Sequence, residues 1–132
     1  MVAPFLLATP LTLTVPIAIA KNGTDFKSAS DYDIFLYSGI GSSYVCNARA
    51  AGIEFPKAVG IAAATYVQVL NGRHGGQVAS AGSKKLSNEQ LFAGAEFQVI
   101  TGALKYCPKD VPVDVKSRVE EAIKRTKQEP IE

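Results

Sequence analysis

The two cysteines of this chain, Cys46 and Cys107, fall in segments that read as different helices, so their pairing would dictate which helices touch. A bridge between them closes a loop of about sixty residues and, in the chain-entropy picture, removes roughly 4 kcal/mol of unfolded-state freedom. For a chain of 132 residues, enough for one compact domain, that is a large share of the stability. Compartment decides the pairing, because thiols stay reduced in the cytosol and oxidise outside it. The alternative is two buried free thiols, since cysteine also packs as a small hydrophobe.

The N-terminal residues favour the oxidising side. Residues 1–20 carry no charged side chain and end in Ala18-Ile19-Ala20 just before Lys21-Asn22-Gly23, the small-x-small ending of a signal-peptide cleavage site. Twenty apolar residues are also long enough to span a bilayer, but Pro4, Pro10 and Pro16 make a poor membrane helix. The departure from the signal pattern is the missing Lys or Arg at the start. Residues 21–30 read as a flexible N-terminus, residues 31–127 as the helical domain and residues 128–132 as a tail.

Helix signals recur through the rest. From Asp31 to Ala51 no proline intervenes, Ser30 can cap the start, Asp31 and Asp33 sit where the helix dipole favours acids, and Gly52 follows. The stripe Ile34, Tyr37, Gly41, Tyr44, Val45, Ala48 and Ala51 predicts the buried face, and Cys46, off that stripe beside Phe35, Gly39 and Ala50, points to cover on a second side. A second helix is expected from Pro56 to Asn71 with Gly72 ending it, apolar nearly all round and therefore central. Gly72 to Lys85 lacks periodicity and reads as a loop anchored by Val78. Ser87 and Gln90 form a capping box for a helix reaching about Tyr106, with Leu91, Phe92, Ala95, Val99, Ile100, Ala103 and Leu104 expected inside. After Pro112, the narrow stripe Val115, Val119, Ala122 and Ile123, with the pairs Glu120–Lys124 and Glu121–Arg125, predicts a surface helix. With no alternating strand and no repeat, the fold class is all-α, a four-helix bundle-like single domain.

Candidate chemistry is sparse. The single histidine lies in Gly72-Arg73-His74-Gly75-Gly76, where backbone N–H groups, the Arg73 fork and the His74 ring could meet a small anion or a partner's carboxylate. The competing view is a helix C-cap followed by a flexible connector with an exposed basic pair. Glu96 falls on a helical wheel between Phe92, Ala103 and Cys107, so it is expected inside the apolar arc, needing a partner such as Arg49, Arg73, His74 or a tyrosine hydroxyl. Tyr37, Tyr44 and Tyr66 read as core residues with hydroxyls at the rim. The small residues of Gly39-Ile40-Gly41-Ser42-Ser43, with Gly60, Gly94 and Gly102, read as points of close helix packing. No Gly-x-Ser-x-Gly elbow, Walker loop or His-x-x-x-His pair is present, so no cofactor or metal is expected. A formal net charge of +2 gives no ground for a nucleic-acid partner.

The runs Tyr44-Val45-Cys46-Asn47-Ala48-Arg49, Gly60-Ile61-Ala62-Ala63-Ala64-Thr65-Tyr66, Asn71-Gly72-Arg73-His74-Gly75-Gly76 and Leu91-Phe92-Ala93-Gly94-Ala95-Glu96-Phe97 resemble small exported helical proteins of cyanobacteria. The resemblance spans about Asp31 to Lys127. It implies periplasm, thylakoid lumen or secretion, and carries no site residues with it. Three functions follow as expectations. The first is a noncatalytic binding or accessory protein using the Gly72–Gly76 segment with Arg49 or Glu96, toward an unknown protein or small anionic ligand. The second is a small enzyme with Glu96 and His74 as acid and base. The third is a carrier with an apolar cavity among the tyrosines.

Overall fold

The computed structural model of the chain describes residues 25–128; the leader at 1–20 and residues 129–132 lie outside the described residues. Four helices follow one another as α1 (Asp31–Ala50), α2 (Phe55–His74), α3 (Asn88–Tyr106) and α4 (Val113–Gln128), with single 3-10 turns at Ala79–Ala81 and Pro108–Asp110. Among the described residues there is no strand beyond two isolated bridges. The chain is all-α, as the periodicities predict.

Both N-terminal caps form as the sequence suggests. Ser30 Oγ accepts from the Asp33 N–H while the Asp33 carboxylate accepts from the Ser30 N–H, and Ser87 and Gln90 make the same exchange at α3. The end of α2 differs from expectation. Gly72 stays helical and the left-handed residue is Gly75 (φ 59°), whose N–H donates to Asn71 O while the Gly76 N–H donates to Leu70 O. Two successive glycines can leave the helix by this double bond, whereas a lone Gly72 only weakens it.

Three helices form the bundle. Tyr66 Oη donates to Ile34 O and Asn71 Nδ2 to Asn88 Oδ1, so α2 runs antiparallel to both α1 and α3. Cys46 and Cys107 are bonded with their Cα atoms 5.8 Å apart, joining the C-terminal ends of α1 and α3, which therefore run the same way. The core lies among Val45, Val59, Ala62, Ala63, Tyr66, Leu91, Val99 and Ala103. α4 rests mainly against α3 through buried Val119 and half-buried Val115, and Glu121 and Arg125 pair across 3.6 Å on its solvent side.

Close helix contact is concentrated at one crossing. A Cβ on Gly41 would sit 2.7 Å from Val99 Cγ2, and one on Gly102 would overlap Ser42 Oγ. Ser42 is fully buried, and its hydroxyl is shared between Ser38 O and Val99 O. Gly39, Gly60 and Gly94, expected to allow similar contacts, have nothing near an added Cβ.

The segment before α1 is docked rather than loose from Phe26 onward. The Ala29 N–H donates to Gln77 O, the Ala79 N–H donates to Ala29 O, and Ala29 is fully buried beside Val78. The loop after α2 is thereby given a backbone partner that no periodicity announces.

Candidate functional site

The residues picked out as one binding surface occupy three separate places. His74 ends α2 and is 7% exposed. Its Nδ1 lies 2.8 Å from Lys27 O, and since a carbonyl only accepts, that nitrogen carries the proton. In the neutral ring Nε2 then accepts from the Tyr37 hydroxyl at 2.9 Å. Both ring nitrogens are spent inside the fold, so His74 is a structural tie between the N-terminal segment, α1 and α2. The sequence offered an exposed basic pair; only Arg73 is exposed. Gly75 meets the Phe26 ring so closely that any Cβ would overlap it, and Gly76 lies under Leu91 and Leu86.

Arg49 closes the far end of α1. Its Nη1 donates to Ile53 O at 2.7 Å, and the half-buried side chain spans the turn into α2 while Nε finds no partner. Glu96 is exposed, contrary to its place on the wheel. The arc it shares with Phe92 faces outward past the α2–α3 seam, and Phe92 itself is exposed. Glu96 borders an apolar groove of about 380 Å³ with Phe55, Val59, Phe97 and, from α4, Val115 and Arg118. His74 faces α1 and Lys27 instead, so the proposed acid and base do not share a site. Among the described residues no group of three or more His, Cys, Asp or Glu could hold a metal ion, and no helix is long and apolar enough to cross a membrane.

Two groups near the tyrosines have shifted titration. Burial pushes the Tyr66 hydroxyl up to about 12, with the Tyr37 hydroxyl adding to it, and the two rings meet edge to face at 5.8 Å. The Asp33 carboxyl is held below its ordinary value, first by the Ser30 hydroxyl and then by the Ser30 N–H, with His74 and Lys27 contributing. Tyr44, expected in the core with Tyr37 and Tyr66, turns outward and is exposed. Between the three tyrosines, Ile40, Gly41, Ala62 and Val69 lies a partly open hollow of about 150 Å³.

The outer face of α1 is the second side that Phe35, Gly39 and Cys46 mark in the sequence, expected there to be covered; within the described residues it stands open. Phe35 (67% exposed), Leu36, Ile40 (62%) and Tyr44 line one shallow depression with Gly39, Ser43, Asn47 and Tyr106 of α3, and Tyr32 (71%) continues it by one turn. No charged residue occurs in α1 between Asp33 and Arg49. That uninterrupted stretch was the available signal. It was masked because a helix apolar on several sides gives no clue to which side is covered.

A family model described as a domain of unknown function, DUF8650, matches residues 32–130. The chain belongs to the DUF8650 family. No curated protein and no solved structure matches it. The match begins with α1 and runs through α4, so the DUF8650 domain takes in the bundle, the disulfide and the outer face together.

Proposed function

We propose that this DUF8650 domain is a noncatalytic docking module of an extracytoplasmic compartment that binds a protein surface through the outer face of α1. The carrying observation is that face: large side chains of Phe35, Ile40, Tyr44 and Tyr106 stand in solvent around one depression with no charge among them. Contiguous apolar patches of this kind are uncommon on monomers unless something covers them. Export is supported by the Cys46–Cys107 bond, by the small-x-small ending at Ala18-Ile19-Ala20 and by the likeness to exported cyanobacterial helical proteins. Arg73 beside the Gly75–Gly76 turn serves in this reading as a secondary contact for an anionic group at the same end of the bundle as Asp31.

Mild cross-linking in cells tests it. A cross-linked species is expected for the native chain and for Glu96→Gln, and is expected to vanish with Ile40→Asp. Its persistence in Ile40→Asp overturns the reading, and loss of a measurable turnover in Glu96→Gln would restore the enzyme.

A second reading, a carrier of a small apolar molecule, is favoured by the hollow among Tyr37, Tyr44 and Tyr66. Its 150 Å³ equals a cavity able to take a single benzene ring and is about half the lower end of ordinary ligand pockets. Titration with benzene or indole, read by Tyr fluorescence, decides this one; an unchanged signal removes it.

A further inference from the structure

We infer, resting on the docking reading, that the occupant of the α1 face is a second copy of this chain, packed antiparallel about a two-fold axis near Gly39 and Ile40. The rows of the helix surface suggest it. Residues four apart make one row of large side chains, Leu36, Ile40 and Tyr44, and beside it a row that runs Phe35, Gly39, Ser43 and Asn47 and falls to bare backbone in the middle. Rows four apart are the ridges and grooves that interdigitate when two helices cross at about −50°. Turned end for end on itself, the face sets Ile40 of one copy over Gly39 of the other, Leu36 over Ser43, and Phe35 beside Tyr44.

Gly39 is placed where a close neighbour would need room. A mid-helix glycine weakens a helix relative to alanine. Gly41 and Gly102 offset that cost by contacts inside the domain; a Cβ on Gly39, as on Gly60 and Gly94, would meet nothing within 4 Å, and Gly39 differs from those two in lining the apolar depression. Its space lies on the floor of the depression, where a second helix would need it. The serine hydroxyls nearby are already satisfied, Ser43 donating to Gly39 O and Ser38 to Phe35 O, so association buries no unmet donor there.

Charge and area agree. Asp31 lies at the N-terminal end of α1 next to Tyr32, while Lys105, beside the Tyr106 ring, lies at the other end. Antiparallel packing brings each acidic end to a basic one and opposes the helix dipoles, where parallel packing would set like beside like. The six large side chains Tyr32, Phe35, Leu36, Ile40, Tyr44 and Tyr106 are 38–71% exposed. At about 100 Å² each they supply roughly 600 Å² per copy, so a two-fold contact hides about 1,200 Å², the lower bound of specific interfaces, before any rim is counted.

Sedimentation velocity of the full chain over a wide concentration range, with in-cell photo-cross-linking from a benzophenone side chain at position 40, tests the inference. The native chain is expected to sediment with twice its single-chain mass. Ile40→Asp is expected to abolish the dimer, and Gly39→Leu to weaken association at least tenfold while the fold, checked by circular dichroism, is kept. Gly39→Ala should weaken association and yet raise the thermal midpoint at concentrations low enough to keep the chain monomeric, a split that a purely structural glycine cannot give. A monomer at all concentrations, or association that survives Ile40→Asp as self-association of the apolar residues 1–20 would, overturns the dimer. A photo-adduct of two copies supports it. An adduct with a different protein overturns the second copy but leaves the docking reading standing, and no adduct overturns both.

Discussion

Gly41 and Gly39 stand two residues apart on α1 and face opposite environments. Gly41 looks inward onto Val99, and with Gly102 over Ser42 it lets α1 and α3 close until no methyl fits between them. Gly39 looks outward over an empty floor ringed by Phe35, Ile40 and Tyr44. The same residue type therefore means two things on one helix. Inside, it is explained by the fold; outside, the fold gives it no partner, and its place in the apolar depression is what the inferred second copy would use.

The firmest way to break the comparison is to loosen the inner side. Removing the disulfide by Cys46→Ser with Cys107→Ser is expected to lower the unfolding free energy by about 4 kcal/mol, read from urea unfolding. The outer face is built mainly on α1, with only Asn47 and Tyr106 next to the bridged cysteines, so whatever fraction remains folded should still associate. Next comes Gly102→Val, which drives a branched side chain into Ser42. A loss of about 3 kcal/mol is expected, as for strong overpacking, and Gly94→Ala on the same helix should show none of it. A tolerated Gly102→Val would mean that the α1–α3 contact yields easily and that the contrast between the faces is false.

The inner side was the more readable of the two in the sequence, and the reason is locality. The cap at Ser30 and the capping box at Ser87 use partners three residues away, so residue type and spacing suffice, the return bond from Asp33 to Ser30 being the one part not read in advance. The cysteine pair was readable from chemistry once an oxidising compartment was assumed. Tyr44, Phe92 and Glu96 were placed wrongly because each lies on a helix that is apolar beyond its buried face, and a wheel shows only angles. The docking of Ala29 beside Val78 was hidden for another reason. It joins two aperiodic segments through backbone hydrogen bonds, which leave no mark on side-chain pattern. His74 was found but misassigned: a lone histidine beside glycines looks like a loop until Gly75, and not Gly72, turns out to end the helix.

A smaller effect is expected at the start of α1, common to both faces. Ser30→Ala removes the cap and should cost about 1 kcal/mol. The accompanying pH dependence has a definite sign. Asp33 titrates lower in the folded chain than unfolded, so its contribution is present above the unfolded value near 4 and is lost as pH falls through the lower folded value. Acid unfolding of Asp33→Asn should therefore be flatter below about pH 4 than that of the native chain. At the alkaline end Tyr66 acts in the opposite direction: its hydroxyl keeps its proton up to about 12 when folded, so stability falls as pH rises from 10 toward 12, and Tyr66→Phe should remove that slope.

The smallest change sharpens the comparison most. Gly39→Ala adds one methyl where nothing lies within 4 Å and exchanges the weakest ordinary helix former for the strongest, so at concentrations low enough to keep the chain monomeric it should stabilise by just under 1 kcal/mol. Gly41→Ala gains the same propensity but pushes its methyl to 2.7 Å from Val99 Cγ2, and the net effect there should be a loss. Unfolding curves of the two variants at one low concentration measure the difference directly. Opposite signs mean that the glycine outside is not retained for the stability of the single chain, while equal signs would place both residues in the same environment and dissolve the distinction between the two faces of α1.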